Sequence, residues 1–308
     1  MQENQLIDII KDILKSKFIN DDCANLKDLG IVVTQDSLIE DVHFSLKYTN
    51  PFQLGYKSIA VNLSDIYASG AEAKYLTCSL SLPKYIDENF VKNFYKGAKS
   101  VNPNVEIVGG DLTYGEKIYI SICAIGKTNE RKISSRSNAK IGYKIITNGV
   151  HGSSGCGLEL LQKGLKNPEN LILAHLMPKV DDKLSKAIAE NIRCDYAMMD
   201  SSDGLADVLF KVSKLSNLCA EIDFEKIPID EEIKDFDYKN KVLFGAEDYK
   251  IIAFVPDEFL KTIDKTLYTE IGTMIEKKDE NFIKVHFQDY DKNFTQKDIE
   301  TMCFKHFE

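Results

Sequence analysis

Aspartates recur at the ends of apolar strands or in tight turns along this chain. Asp22 lies in NDDC, Asp36 follows IVVTQ, Asp65 sits in NLSD, Asp111 in VGGD, and Asp200 with Asp203 in DSSDG. Strand ends bring together side chains that are distant in sequence. Carboxylates gathered without histidine or cysteine partners suit a hard cation, Mg²⁺ or Mn²⁺. Left uncompensated, such a cluster repels itself, and a cation resolves the repulsion. Magnesium held by carboxylates keeps waters and bridges a substrate's phosphates. Taken singly, each aspartate reads equally well as a helix cap or turn residue; the repetition carries the signal.

Other candidates are weaker alone. His43, in EDVHF, can contact a substrate phosphate, though an isolated histidine beside an apolar residue is more often structural. Arg136 lies in a polar stretch where a solvated charge is the default. Glu247, in GAEDY, precedes a strand and reads alone as a turn acid. The glycines Gly152, Gly155 and Gly157 offer backbone N–H groups to a phosphate at a helix N-terminus, or form a plain loop. Neither G-x-x-x-x-G-K-[ST] nor G-x-G-x-x-G occurs, and the five histidines sit in no nucleophile motif.

The elements that must position these residues follow from periodicity. Helical spacing predicts helices over Leu6–Phe18, Leu54–Ser69, Asp87–Ser100 and Leu205–Leu215. Short apolar or alternating runs predict strands over Ile31–Gln35 (stopping at Asp36), Tyr75–Leu82, Lys144–Thr147, Tyr196–Met199 and Asp248–Pro256. Val105–Gly109 and Lys117–Gly126 read as strands flanking a GGD turn. Lys127–Lys140 is polar, basic and without periodicity, and the domain boundary is placed there, giving Met1–Lys132 and Ile133–Glu308. The acidic stretch Asp230–Lys241 is expected at the surface. Strands and helices mix in both halves, so the class is α/β or α+β.

At 308 residues, two domains of ~150 residues are expected. No apolar run approaches the ~18–20 residues needed to span a bilayer, and the acidic, amphipathic N-terminus lacks the pattern of a secretory signal. A net charge of −9 argues against nucleic acid or an anionic membrane as partner. Seven scattered cysteines with no CxxC read as reduced cytosolic thiols, not a zinc site or disulfide framework. The arginines are Arg131, Arg136 and Arg193, so a phosphate-binding arginine must be one of these.

Taken in order, the motifs resemble those of thiamine-monophosphate kinases, members of an aminoimidazole ribonucleotide synthetase-like superfamily. The segment GYKSIAVNLSDIYASGAEAKYLTCSLSLP (Gly55–Pro83) carries the resemblance most clearly. It extends through DDCANL (Asp21–Leu26), DSLIEDVHF (Asp36–Phe44), VGGDLTYG (Val108–Gly115), SRSNAKIGYKIITNG (Ser135–Gly149), MDSSDGLADVL (Met199–Leu209), FGAEDYKI (Phe244–Ile251) and FKHF (Phe304–Phe307). INDDC stands where the family has G-x-G-D-D-A, Gln35 where threonine is common, GAED for GGED, and Tyr114 for the arginine of GGDTTRG.

The resemblance implies two α/β sandwich domains with the active site in the cleft between them, paired as a homodimer through the N-terminal domains. It implies ATP-dependent phosphorylation of thiamine phosphate to thiamine diphosphate, with several Mg²⁺ ions and direct in-line transfer. The acceptor is already an anionic phosphate oxygen, so no catalytic base is expected. By position, the resemblance assigns Asp22, Thr34, Gln35, Asp36, Asp65, Asp111, Asp200 and Asp203 to metal. It assigns Tyr95, Gly110, Asp111, Arg136 and Ser202 to ATP, and His43, Glu247 and Phe304 to the thiamine phosphate. Two alternatives remain: another activity of the superfamily, such as aminoimidazole ribonucleotide synthesis, and a non-catalytic protein that binds metal–ATP.

Overall fold

Asn50 and Pro51 start the helix on which the rest is arranged. The Asn50 side chain accepts from the Gln53 N–H, Gln53 caps the Asn50 N–H in return, and Pro51 stands where a missing N–H costs nothing. The helix runs Pro51–Ser69 and stops at Gly70, left-handed at φ 88°. The computed structural model describes residues 3–304.

In chain order its helices are α1 (Glu3–Leu14), α2 (Pro51–Ser69), α3 (Glu88–Ser100), α4 (Ser153–Gln162), α5 (Glu169–Leu176), α6 (Lys183–Asn191), α7 (Leu205–Ser216), α8 (Tyr238–Phe244), α9 (Asp257–Leu260) and α10 (Gln296–Met302). A first sheet holds β1 (Ala24–Leu26), β2 (Ile31–Ile39), β3 (Glu72–Leu82), β4 (Glu106–Tyr114) and β5 (Tyr119–Lys127), in the order β1-β2-β5-β3-β4. A second holds β6 (Lys144–Thr147), β7 (Ala197–Asp200), β8 (Leu218–Asp223), β9 (Ile251–Val255), β10 (Thr269–Glu276), β11 (Asn281–His286) and β12 (Asp291–Thr295), in the order β12-β11-β8-β10-β6-β9-β7. Pairing is antiparallel except for β3 with β4 and β11 with β8.

Two cores result. The first joins the inner face of the first sheet, α2, α3 and one face of the second sheet, where Ile146, Met198, Ile251, Ala253 and Val255 point. The alternate residues Ile145, Ala197, Met199, Ile252 and Phe254 face the second core, against α4, α5 and α7. Alternation along β9 thus buries both its faces. Each half of the chain contributes one sheet, and the connection from Thr128 to Ser135 carries no helix or strand. The first core nevertheless crosses residue 132, because α2 is covered on both sides. Its polar residues are buried with it: Lys57, Ser58, Asn62 and Ser64 are at most 1% exposed.

Several elements depart from their expected limits. α1 ends at Leu14, and Lys15 turns to φ 49°. β2 does not stop at Asp36 but continues to Ile39, because all nine residues find partners in β5. The GGD segment is not a turn. β4 passes through Gly109, Gly110 and Asp111, and the chain reverses between Tyr114 and Tyr119. The glycine serves close pairing here: a Cβ on Gly110 would lie 1.8 Å from the Cys78 carbonyl oxygen. The acidic stretch 230–241 is not wholly at the surface, since Ile233 is buried in the second core.

Candidate active site

The polar residues of α2 draw the site together. Asp65 accepts from Thr34 Oγ1 at 2.6 Å, and Asn62 Oδ1 accepts from the Asp36 N–H at 3.1 Å. One position along, Ser64 donates to Asp200 Oδ2 at 2.6 Å, reaching from one sheet to the end of β7 in the other. Asp22, in the loop before β1, completes a group with Asp65 and Asp200 in which one carboxylate oxygen of each lies within 4.8 Å of the others. Arg136 supplies the cation facing them, with Nη2 2.5 Å from Asp22 Oδ1. Its side chain is 18% exposed, so it is not a solvated linker charge.

The electrostatics of this group are unfavourable as they stand. Burial first, then the charges of Asp36, Asp200 and Asp22, push the Asp65 carboxyl well above the usual carboxylate range. Burial and Asp22 likewise raise Asp200. Asp200 Oδ1 is buried with no hydrogen-bond partner. An orphaned carboxylate oxygen among converging carboxylates is the donor set a hard divalent cation takes, so the residues present fit Mg²⁺.

The loop carrying Asp22 needs none of the glycines that the family pattern places there. No residue of Ile19–Cys23 has positive φ. Asp21 holds the loop to the chain connection by accepting from the Arg136 N–H at 2.7 Å and from Ser135 Oγ at 3.1 Å.

Strand register separates the remaining metal and ATP candidates. Thr34 and Asp36 pair with Ala124 and Ile122, which are buried on the inner face of the sheet. Gln35 therefore points to the outer face, where its Nε2 donates to Ser121 Oγ at 3.0 Å. Asp111 pairs with Ser79, also on the outer face and three strands from β2. Three interstrand steps of ~4.8 Å put these strands ~14 Å apart. Within one chain Gln35 and Asp111 are thus not brought to the Asp22–Asp65–Asp200 group. Tyr95, on α3, shares a hydrogen bond with Cys78, the residue on which Gly110 packs.

Between the two halves lies a cavity of about 1130 Å³. His43, Glu247 and Phe304 all line it, as do Asp36, Ser202 and Asp203. Leu158, Leu161, Ile172 and Leu176, from α4 and α5, form an apolar wall. His43 Nδ1 accepts from the Ile39 N–H at 3.0 Å, so the neutral ring carries its proton on Nε2. Asp203 lies 3.2 Å from Lys211. The Ser202 carbonyl accepts from the Glu247 N–H at 2.7 Å. The rest of the FKHF motif, Lys305–Phe307, lies outside the described residues.

The glycine-rich loop is not a phosphate cradle. Asp248, 4% exposed, accepts from the Gly152 N–H at 2.6 Å and the Ser154 N–H at 3.0 Å. The N-terminus of α4 already holds an internal carboxylate. Sequence reasoning also missed Lys57 and His175. Lys57 Nζ lies 2.9 Å from Glu247 Oε1, and His175 Nδ1 lies 3.3 Å from Oε2. The signal for Lys57 was present: a lysine among the apolar and small residues of a mostly apolar helix must find a partner.

Comparison with known proteins agrees with this geometry. The family model "AIR synthase related protein, N-terminal domain" matches residues 20–128. A thiamine-monophosphate kinase of Aquifex aeolicus is 36% identical over 267 residues, covering 82% of this chain and 85% of that protein. One of Bacillus subtilis is 31% identical over 237 residues, covering 74% and 73%. The solved structure of AaThiL complexed with AMPPCP and TMP superimposes with a TM-score of 0.84 at 32% identity, over 99% of this chain and 97% of that one. The chain belongs to the thiamine-monophosphate kinase family.

Proposed function

We propose that the protein transfers the γ-phosphoryl group of ATP directly to thiamine phosphate, giving thiamine diphosphate. The observation that carries this reading is the one cavity lined by His43, Glu247 and Phe304 together with Asp36, Ser202 and Asp203. Phe304 and the leucines of α4 and α5 offer apolar surface to flat rings. Nε2–H of His43 donates to the acceptor phosphate. Glu247 accepts from a polar group on the ring system. Arg136, and Ser202 beside the cavity, serve the ATP phosphates. An in-line transfer to an anionic oxygen asks for positioning and charge neutralisation, so no side chain is assigned as a base.

Asp22, Asp65 and Asp200, with Asp36 and Thr34 beside them and Asp203 at the cavity, are the proposed magnesium residues. Bound there, Mg²⁺ would neutralise phosphate charge. Asp111, Gly110, Tyr95 and Gln35 find their role in a homodimer. β4 is an edge strand whose Val108, Leu112 and Tyr114 are 54%, 67% and 65% exposed, an edge of the kind a second chain covers. Asp111 and Gln35 share the outer sheet face, and a second copy laid on it would bring one protomer's Asp111 toward its partner's Gln35. Cysteines that form no disulfide among the described residues suit a cytosolic enzyme, and no described helix is long and apolar enough to cross a membrane.

The deciding assay supplies magnesium, ATP and thiamine phosphate and measures thiamine diphosphate. Product from thiamine phosphate but not from unphosphorylated thiamine is expected. ATP-dependent ring closure of formylglycinamidine ribonucleotide without thiamine diphosphate would favour the other superfamily activity. Hydrolysis of ATP with no dependence on an acceptor would sink the transfer reading. Sedimentation should give a dimer.

A further inference from the structure

Lys57 is 1% exposed, on the part of α2 that has no solvent on either side. A buried ammonium persists only when paired. Its partner is Glu247, 190 residues further along the chain, at 2.9 Å. Glu247 is itself held in a left-handed backbone at φ 68°, which a residue other than glycine keeps only when its surroundings impose it. The imposing contacts are the Ser202 carbonyl on its N–H and Lys57 on one carboxylate oxygen. Beside the other oxygen, His175 contributes no charge: burial, then the Lys57 cation, pushes its pKa down to about 3. His43, Tyr48 and Tyr249 complete the titratable surroundings of Glu247. Burial works against ionisation of Glu247, yet the Lys57 cation keeps its carboxyl below the usual range.

We propose that Lys57 is the positioning residue of the acceptor site, neutralising and aiming Glu247 so that this carboxylate selects an acceptor by a directed hydrogen bond from a ring amine and not by countering a cation. A lone carboxylate in the cavity would draw in any cation. An ion pair of zero net charge discriminates by where its remaining lone pairs point. The same helix carries Asp65 eight residues later, ~12 Å along its axis. One rigid element thereby fixes the spacing between Asp65 and the lysine that holds Glu247.

The proposal rests on the acceptor-side reading of Glu247 given above, and the test separates the two. Steady-state kinetics are measured for Lys57→Met, Glu247→Gln and the double variant. The acceptors are thiamine phosphate and its analogue bearing a carbonyl in place of the ring amine. Each single change should raise the KM for thiamine phosphate about tenfold or more, the loss of one charged hydrogen bond, with the KM for ATP nearly unchanged. Each should also erase the preference for the amine over the carbonyl analogue. Because Lys57 acts through Glu247, the double variant should be no worse than Glu247→Gln. Penalties that multiply in the double variant would overturn the positioning role alone. A Glu247→Gln protein with unchanged acceptor KM would overturn the acceptor-side reading, and the proposal with it. If circular dichroism shows Lys57→Met unfolded, the double variant, which leaves no buried charge unpaired, decides by the same comparison with Glu247→Gln.

Discussion

Two groups of carboxylates meet at this site in opposite circumstances. Asp22, Asp65 and Asp200 converge with one facing cation, Arg136, and one of their oxygens has no partner at all. Glu247, which lines the cavity beside Ser202, has a buried lysine of its own. The first group stores repulsion that a divalent cation relieves, and the second is electrically complete before any ligand arrives. The difference is what the proposed division of work rests on: the unbalanced carboxylates for charge neutralisation in phosphoryl transfer, the balanced one for recognition.

The sharpest way to break this comparison is Asp65→Asn. Removing one charge from the unbalanced group should lower turnover on the order of 10²–10³-fold, the scale for losing one preorganised electrostatic contact to a transition state. The same change should raise the melting temperature measured in EDTA, since it relieves repulsion. A variant less stable in EDTA and still active would place Asp65 in a satisfied structural network instead.

Arg136→Ala tests the cation that faces Asp22. The KM for ATP should rise by the equivalent of about 1.5–3 kcal/mol, the range for a charged hydrogen bond. An unchanged ATP dependence would confine Arg136 to holding Asp22.

Glu247→Gln is the mirror of Asp65→Asn. It leaves Lys57 without its counter-charge, so urea unfolding should show a loss of about 2 kcal/mol in stability, with or without EDTA. Stabilisation by this change would mean that the two carboxylate groups are alike after all.

The smallest effect concerns buried histidine in the second half of the chain. His151 is fully buried, and burial, then Lys250, pushes its pKa down to about 3. Its neutral form is the folded form. Stability is therefore full above the ordinary histidine pKa of about 6.5 and declines as the pH falls toward about 3, because the unfolded chain takes up the proton first. Between pH 7 and pH 6 one such group contributes about 0.7 kcal/mol of loss. Unfolding of His151→Gln at the two pH values should show a shallower slope; an identical slope would remove His151 from the account.

Part of the candidate site's geometry was legible in the sequence. Asp22, Asp65 and Asp200 were singled out by type and setting, and they do converge. His43, Glu247 and Phe304, placed by resemblance, do share one cavity. Where reading failed, it failed over partners and faces. Gly110 looked like a turn because two adjacent glycines usually mark one, and only its approach to Cys78 shows a strand. The loop Asn148–Gly157 looked open to phosphate because nothing local says that Asp248 will return to cap it.

The sequence by itself determined which chemistry was available: repeated carboxylates without soft ligands, no nucleotide-binding glycine motif, and an apolar period long enough for α2. These are local properties, set by side-chain type and by periods of 2 and 3.6 residues. Tertiary structure decided which carboxylate is balanced and which is not, because a lysine on α2 meets a glutamate 190 positions away only once both sheets close on that helix. It also decided that Asp36 and Asp111 face opposite sides of one sheet. A side chain's face depends on the parity of the strand's register, and a one-residue slip would reverse it. Register is fixed by pairing with β5 and β3, not by the strand's own residues.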